Sequence, residues 1–429
     1  MLVPFSMIPK GEAYVRLSPK DKKRLDALYE TLAKRSEKLL GYPVNLSYDY
    51  DGLYHFFAFT LNNVGDPFTE AIYEINTRGF EREVVSFFAQ LYHAPEDAWW
   101  GYVTNGGTEG NMYGLYLARE ALPDGIVYFS HDTHYSIAKL TRVLGIPNVV
   151  VKSQENGEID YECLEEKIKA NRGKPPIIVA NIGTTMKGAV DRVEKIVDIL
   201  RCNDIQKFYI HCDAALGGMI LPFVPGAPIF DFRMPIGSIS LSGYKMIGAP
   251  MPCGIVIVRK KNVERVQRYI ELIGVSDTTL SGSRNGHMTL FLWYAIKRFG
   301  TQGFQKMIAE CLNMTKYTLD RLKEISWDAH AEEFSVTVVI KRPSEKIVKK
   351  WQLAVEGNIA HVLLMPHVLK KQIDAFIEDL KQESAHFFPS EAISAPEYTA
   401  TMDAAGPVHK THGNLLHISE CVPPDLLGI

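Results

Sequence analysis

KFYIHCDAALGG (residues 207–218) and SISLSGYK (residues 238–245) decide how this chain is read. Each begins with an apolar run of strand length, Lys207–Ile210 and Ser238–Leu241, and passes at once into small and polar residues. A short apolar run bounded by such residues predicts a buried strand. Working outward, Gly125–Phe129, Asn148–Lys152, Pro176–Ala180 and Gly254–Val258 have the same form, and helical patterns separate them from residue 70 to about 300. Strands alternating with helices predict an open α/β sheet that is mostly parallel. Sheets of this kind gather ligands at the carboxyl ends of their strands.

The flanks divide the chain further. Residues 18–40 predict an amphipathic helix opened by Ser-Pro, with Leu25, Leu28, Leu32 and Leu39 on one side. Tyr48–Phe68 is aromatic and without a clean period, which predicts an irregular arm: a packed connector, or a segment that crosses a neighbouring subunit. After a helix over 301–325, strands are predicted at Phe334–Lys341 and Asn358–Met365 and a helix at Leu369–Glu383, making a smaller α+β domain. The expected division is an N-terminal helix and arm (1–70), a large α/β domain (71–300), a small α+β C-terminal domain (301–389) and a tail (390–429).

Bulk properties remove several functions. A net charge of −3 over 429 residues gives no basis for binding nucleic acid or an anionic membrane. The six cysteines (Cys163, Cys202, Cys212, Cys253, Cys311, Cys421) are scattered singly. That spacing argues against a metal site or a disulfide scaffold, and for a reducing compartment. No signal peptide or membrane-spanning run is present in the sequence, so a cytoplasmic protein is expected.

The polar residues after each strand converge on one edge: Ser130-His131-Asp132-Thr133-His134, Asn181-Ile182-Gly183-Thr184-Thr185, His211-Cys212-Asp213, and Ser242-Gly243-Tyr244-Lys245. Thr104-Asn105-Gly106-Gly107-Thr108-Glu109-Gly110-Asn111 precedes a helix. Adjacent glycines there leave backbone N–H groups able to cradle a phosphate, although a plain Gly-rich helix start has the same form. Asp213 fits an ordinary strand-end cap or a salt bridge to a protonated pyridine nitrogen, with Ala215 small enough for a flat ring to lie against. Lys245, in an apolar Gly/Pro-rich segment, is a surface lysine or a desolvated nucleophilic amine. His134 is a loop histidine or a ring stacked on a cofactor.

The ordered set TNGGTEGN, HDTHYS, NIGTT, HCDAALGG, SGYK and GSRNGH resembles the group II pyridoxal-phosphate-dependent amino-acid decarboxylases of fold type I, within the histidine and serine decarboxylase subgroup. The resemblance spans about residues 40–385. It implies pyridoxal 5'-phosphate as cofactor, carried on Lys245, with Asp213 as partner of the ring nitrogen and Ala215 packed on the ring. It places His134 on the cofactor and near the substrate carboxylate, Thr184 against the ring, and Gly107, Thr108 and Ser242 on the phosphate. Ser335, in FSVTVV, matches a serine that contacts substrate. Tyr244 also falls at the cofactor, but the family usually has histidine there, so a donor is kept while a second positive charge is lost. The resemblance further implies a homodimer or higher even oligomer that shares its active sites, with Gly282–His287 at the boundary.

The reaction implied is α-decarboxylation of an L-amino acid to its amine, with L-histidine and L-serine as the candidates. Two other readings share the Lys–Asp–His set: a pyridoxal-phosphate enzyme of different outcome, by decarboxylation-dependent oxidative deamination or transamination, and a non-catalytic homologue acting through partners. A nicotinamide dehydrogenase is disfavoured, because the dinucleotide fingerprint is missing.

Overall fold

In the computed structural model, which describes residues 17–387, the predicted runs become one seven-stranded sheet. Its strands are β1 (Trp99–Thr104), β2 (Ile126–Ser130), β3 (Asn148–Val151), β4 (Pro176–Asn181), β5 (Tyr209–Asp213), β6 (Ser238–Ser242) and β7 (Gly254–Arg259), in spatial order β1-β7-β6-β5-β4-β2-β3. β7 alone opposes the common direction, pairing antiparallel with β6 and β1. Every residue of β4, β5 and β6 is buried. Successive side chains enter different cores: Ile178 and Ala180 pack in one, Ile177 and Val179 in another. Both faces are therefore covered, which is why these strands read as continuous apolar runs.

α2 (Arg78–Leu91) precedes β1, and between the strands lie α3 (Gly107–Ala121), α4 (Ser136–Leu144), α5 (Tyr161–Ala170) and α6 (Val193–Cys202), with a short α7 (Lys260–Val263) after β7. The packing of α3 on the sheet has a sequence cause. Gly107, Gly110 and Gly114 share one helix face, and Ser238, Ser240 and Ser242 alternate along one face of β6. A Cβ at Gly107 would come within 2.7 Å of the Ser242 hydroxyl, one at Gly110 within 2.2 Å of Ser240, and one at Gly114 within 2.9 Å of Ser238. Only glycine allows so close an approach.

β1 was not among the predicted strands. Its WWGYVT sequence is aromatic with a central glycine, and Gly101 lies where a Cβ would come within 2.5 Å of the Val256 carbonyl oxygen. A hairpin follows β7, formed by β8 (Arg268–Ile270) and β9 (Val275–Asp277). The long helical stretch α8 (Gly286–Glu324) is two helices meeting at a kink at Gly300 (φ 55°). A four-stranded antiparallel sheet comes next, in order β10 (Ala329–His330), β11 (Thr337–Lys341), β13 (Ile359–Leu363), β12 (Ala354–Glu356), accompanied by α9 (Glu345–Trp351) and α10 (Lys370–Phe387). The two predicted strands are β11 and β13; the short β10 and β12 were not anticipated.

At the N-terminal end, α1 (Pro19–Ser36) forms behind a Ser18 cap, yet none of its residues is buried. Leu25, Leu28 and Leu32 are all more than half exposed, so its apolar side is uncovered among the described residues. The arm contains a 3₁₀ helix at Asp51–Ala58. The predicted tail, 390–429, lies outside the described residues. Among the described residues no helix is long and apolar enough to cross a membrane.

Arg284, from the GSRNGH segment, is buried in the chain's own interior. Its guanidinium pairs with Glu81 of α2 and donates to the Gly65 carbonyl at 2.9 Å. Glu81 also accepts from the Asn63 side chain and the Val103 amide, both at 2.9 Å. One ion pair thus ties the arm, α2, β1 and the start of α8. Removing one member of such a buried pair leaves the other uncompensated, at about 3–5 kcal/mol. Arg284→Met should accordingly lower stability by that amount in urea denaturation, whereas the exposed Arg24→Met should change it by under about 0.5 kcal/mol.

Candidate active site

The carboxyl ends of the strands place Thr104, Ser130, Asn181, Asp213 and Ser242 on one edge of the sheet. At β1 the chain turns sharply into α3. The Thr104 hydroxyl donates to the Gly106 carbonyl at 2.9 Å, and the Asn105 backbone and side-chain nitrogens donate to Glu109 at 2.9 and 2.6 Å. Gly106 has φ 153°, a conformation open to glycine. The first N–H groups of α3 have no partner within the helix and sit at its positive end. Gly107 faces Ser242, and Thr108 is exposed at the second helical position. Amides, a helix terminus and a hydroxyl thus meet in a cradle suited to a phosphate.

Asp213, at the end of β5, is buried. One of its oxygens accepts from the Asn111 side chain at 2.7 Å and the other from the Ala215 amide at 3.2 Å. Asn111 also meets His211 Nε2 at 3.0 Å, and His211 Nδ1 meets the Ser238 hydroxyl at 2.7 Å. Burial drives the His211 pKa down to about 4, against the pull of Asp213, so the ring is neutral near pH 7.

Lys245 lies just past β6. Burial lowers the pKa of its amine, and the nearby Asp213 carboxylate partly restores it. His134 follows β2; its Nδ1 meets the Ser136 hydroxyl at 2.7 Å and the Ser136 amide at 3.3 Å. The amide can only donate, so Nδ1 is the acceptor and Nε2 carries the proton. Burial lowers the His134 pKa, Asp213 raises it, and Lys245 and Lys139 lower it again. Lys245, Asp213 and His134 therefore lie within electrostatic reach of one another.

Thr184 closes the turn after β4: its hydroxyl accepts from the Ala189 amide at 3.0 Å, and Gly188 (φ 72°) donates back to its carbonyl at 2.8 Å. Ser335 reaches this turn from the segment before β11. A Cβ at Gly188 would fall 2.1 Å from the Ser335 hydroxyl, which already accepts from the Thr337 amide at 3.0 Å. Among the described residues the Ser335 hydroxyl has no acceptor of its own, so its proton can be donated. Tyr244 is half-buried; burial and then Cys253 raise its phenol pKa, while Ser242 lowers it. It is a neutral donor beside the Ser242 hydroxyl.

Three residues of this cluster were quoted in the sequence motifs without a role: Asn111, His211 and Ser238. Asp191 was not anticipated at all. Buried, it accepts from the Ile159 and Asn181 amides, both at 2.7 Å, and from the Asn181 side chain at 2.8 Å. Burial raises its pKa to about 7 against these donors. It pins the end of β4. Its only signal is its position six residues after NIGTT ends at Thr185, which names no partner.

Residues 68–341 match the pyridoxal-dependent decarboxylase conserved domain. Histidine decarboxylase of Mesorhizobium japonicum is 45% identical over 368 residues, covering 86% of this chain and 100% of that protein. Serine decarboxylase 1 of Oryza sativa subsp. japonica is 44% identical over 373 residues, 86% of this chain and 77% of that one. Among solved structures, L-methionine decarboxylase from Streptomyces sp.590 superposes with a TM-score of 0.77 at 28% identity, over 86% of this chain and 95% of the other. Glutamate decarboxylase from Lactobacillus brevis shares the fold, with a TM-score of 0.71 at 19% identity over 90% and 97% of the two chains.

The cradle makes a specific demand. Gly107→Ala drives a methyl group into the Ser242 hydroxyl, so affinity for pyridoxal 5'-phosphate should fall about tenfold or more. Gly107→Ala with Ser242→Ala should recover part of that loss. Titration of the cofactor onto each apoprotein, followed by absorbance, measures both.

Proposed function

The chain belongs to the family of pyridoxal-dependent decarboxylases, and we propose on that premise that its substrate is L-histidine or L-serine, released as histamine or ethanolamine with carbon dioxide. The enzyme is a pyridoxal 5'-phosphate-dependent carboxy-lyase of fold type I acting on an amino acid. The comparisons favour plain decarboxylation over the oxidative, transaminating and non-catalytic readings. The observation that supports the two substrates is the likeness to decarboxylases of both, at 45% and 44% identity.

The residues fit the cofactor. The cradle has room that a Cβ at Gly107 would fill, and Asp213 is a buried carboxylate with two neutral donors and no ion pair among the described residues. When bound, pyridoxal 5'-phosphate supplies a sink for the electron pair freed as the carboxylate leaves. Gly107, Thr108 and Ser242 would hold its phosphate, with Tyr244 donating beside them. Asp213 would keep a proton on the ring nitrogen, Ala215 and Thr184 would border the ring, and His134 would lie against it.

Lys245 would carry the cofactor covalently through Nζ. As a free amine whose pKa burial lowers, Lys245 Nζ would also hold and deliver a proton to the substrate Cα. That proton replaces the carboxylate, so the carbon skeleton otherwise stays intact. The Nε2–H of neutral His134 would orient the substrate carboxylate until it leaves. Ser335 would donate to the substrate.

A homodimer or higher even oligomer with shared sites is part of the same proposal. It is supported by Leu25, Leu28 and Leu32 of α1 and by Tyr54 and Phe57 of the arm, all exposed among the described residues. A sedimentation mass equal to a single 48.3 kDa chain in active enzyme would contradict it. A cytoplasmic location is proposed from the singly scattered cysteines.

A screen of amino acids for carbon dioxide and amine, in parallel, tests the substrate. Turnover of histidine or serine at least about a hundredfold above methionine, glutamate and the aromatic amino acids is expected, a discrimination of about 2.7 kcal/mol. Preference for any of those others would sink the assignment. Ser335→Ala should raise KM for the true substrate about five- to tenfold with little change in kcat, as loss of one hydrogen bond predicts.

A further inference from the structure

We propose that Ser238, His211 and Asn111 are positioning residues: a buried hydrogen-bond relay that fixes the polarity around Asp213, so that its carboxylate stays an ionised acceptor toward the cofactor's ring nitrogen. The proposal rests on the reading of Asp213 given above.

The direction of the relay follows from which groups can donate. An ionised carboxylate only accepts, so Asn111 must turn its NH₂ toward Asp213, 2.7 Å away. The Asn111 oxygen then faces His211 Nε2 at 3.0 Å, and Nε2 must carry hydrogen. In a neutral ring Nδ1 is then bare, and it requires the Ser238 hydroxyl, 2.7 Å away, to donate. Reversing any member puts two acceptors or two donors face to face in the interior. Each such mismatch carries the full cost of an unmet buried polar group. In particular, a flipped Asn111 amide would present oxygen to the carboxylate and favour protonated Asp213, which could not hold a proton on the ring.

Two further observations support a built arrangement. All four residues are buried: Asn111 is 2% exposed, His211 and Ser238 0%, and Asp213 7%. The relay also needs α3 to lie close to β5 and β6. At Gly114 a Cβ would come within 2.3 Å of His211 Nδ1 and 2.9 Å of Ser238, so the face of α3 that bears Asn111 reaches the strands only because residue 114 is glycine. Burial keeps His211 neutral, as the relay requires.

The test compares Asn111→Asp, which is nearly isosteric but removes the donor, with His211→Leu, His211→Gln and Asp213→Asn in the holoenzyme. Asn111→Asp and His211→Leu should each weaken pyridoxal 5'-phosphate binding about tenfold and lower kcat at least as much, with KM for the amino acid within about twofold. His211→Gln, which can still donate to Asn111 and accept from Ser238, should bind and turn over nearly as the parent does. In an Asp213→Asn background, His211→Leu should have little further effect. Melting of each apoprotein, followed by circular dichroism, separates this from a general loss of fold, which would lower melting temperature in the His211→Gln variant as well.

If Asp213→Asn is damaging while Asn111→Asp and His211→Leu bind cofactor and turn over like the parent, the relay is wrong and the Asp213 reading stands. Equal losses from His211→Leu in both backgrounds also overturn the relay. If Asp213→Asn is itself harmless, the reading of Asp213 fails and the relay with it.

Discussion

Helix α3 can lie on β5 and β6 only because Gly107, Gly110 and Gly114 meet Ser242, Ser240 and Ser238 without side chains of their own. Much of the candidate site depends on that close approach. It brings the turn at Gly106–Gly107 beside Ser242, and it carries Asn111 to within hydrogen-bond distance of both Asp213 and His211. A helix spaced by even one methyl layer would leave Asp213 short of a donor. Packing and polarity are therefore set by the same six residues, three on a helix at positions i, i+3 and i+7 and three on a strand at positions i, i+2 and i+4.

The electrostatics of the cluster follow from burial. Lys245, His134 and His211 are all shifted toward their neutral forms by desolvation, and Asp213 opposes the shift in each. A carboxylate in such a place attracts positive charge, and among the described residues no cationic side chain forms an ion pair with it. The proposed cofactor ring nitrogen would complete that arrangement. Asp191 shows a second use of a buried carboxylate: with three neutral donors from Ile159 and Asn181 it holds the loop after β4 in place, and burial keeps its pKa near 7.

The parallel strands were legible because strands covered on both faces read as unbroken apolar runs between turn residues. β1 escaped because Trp99, Trp100 and Tyr102 surround a glycine, and nothing local reveals that Gly101 lies against the Val256 carbonyl. Lys245, Asp213 and His134 could be singled out as residues that follow strands, since a parallel sheet brings those positions to one edge. Asn111 and His211 could not be assigned in this way. They lie 100 residues apart, and their partnership depends on how closely α3 sits on the sheet. The apolar stripe of α1 was legible as a pattern, but among the described residues nothing buries it. Arg284 stood in a segment expected at a subunit boundary, and its partners turn out to be Glu81 and Gly65 of the same chain.

The central claim is that Lys245 carries the cofactor at this sheet edge. Borohydride reduction of the holoenzyme, followed by proteolysis and mass mapping, tests it most directly. The account predicts a stable pyridoxyl phosphate adduct on the peptide containing Lys245, and no adduct in Lys245→Ala. An adduct on a different lysine, or full decarboxylation by Lys245→Ala, would contradict it.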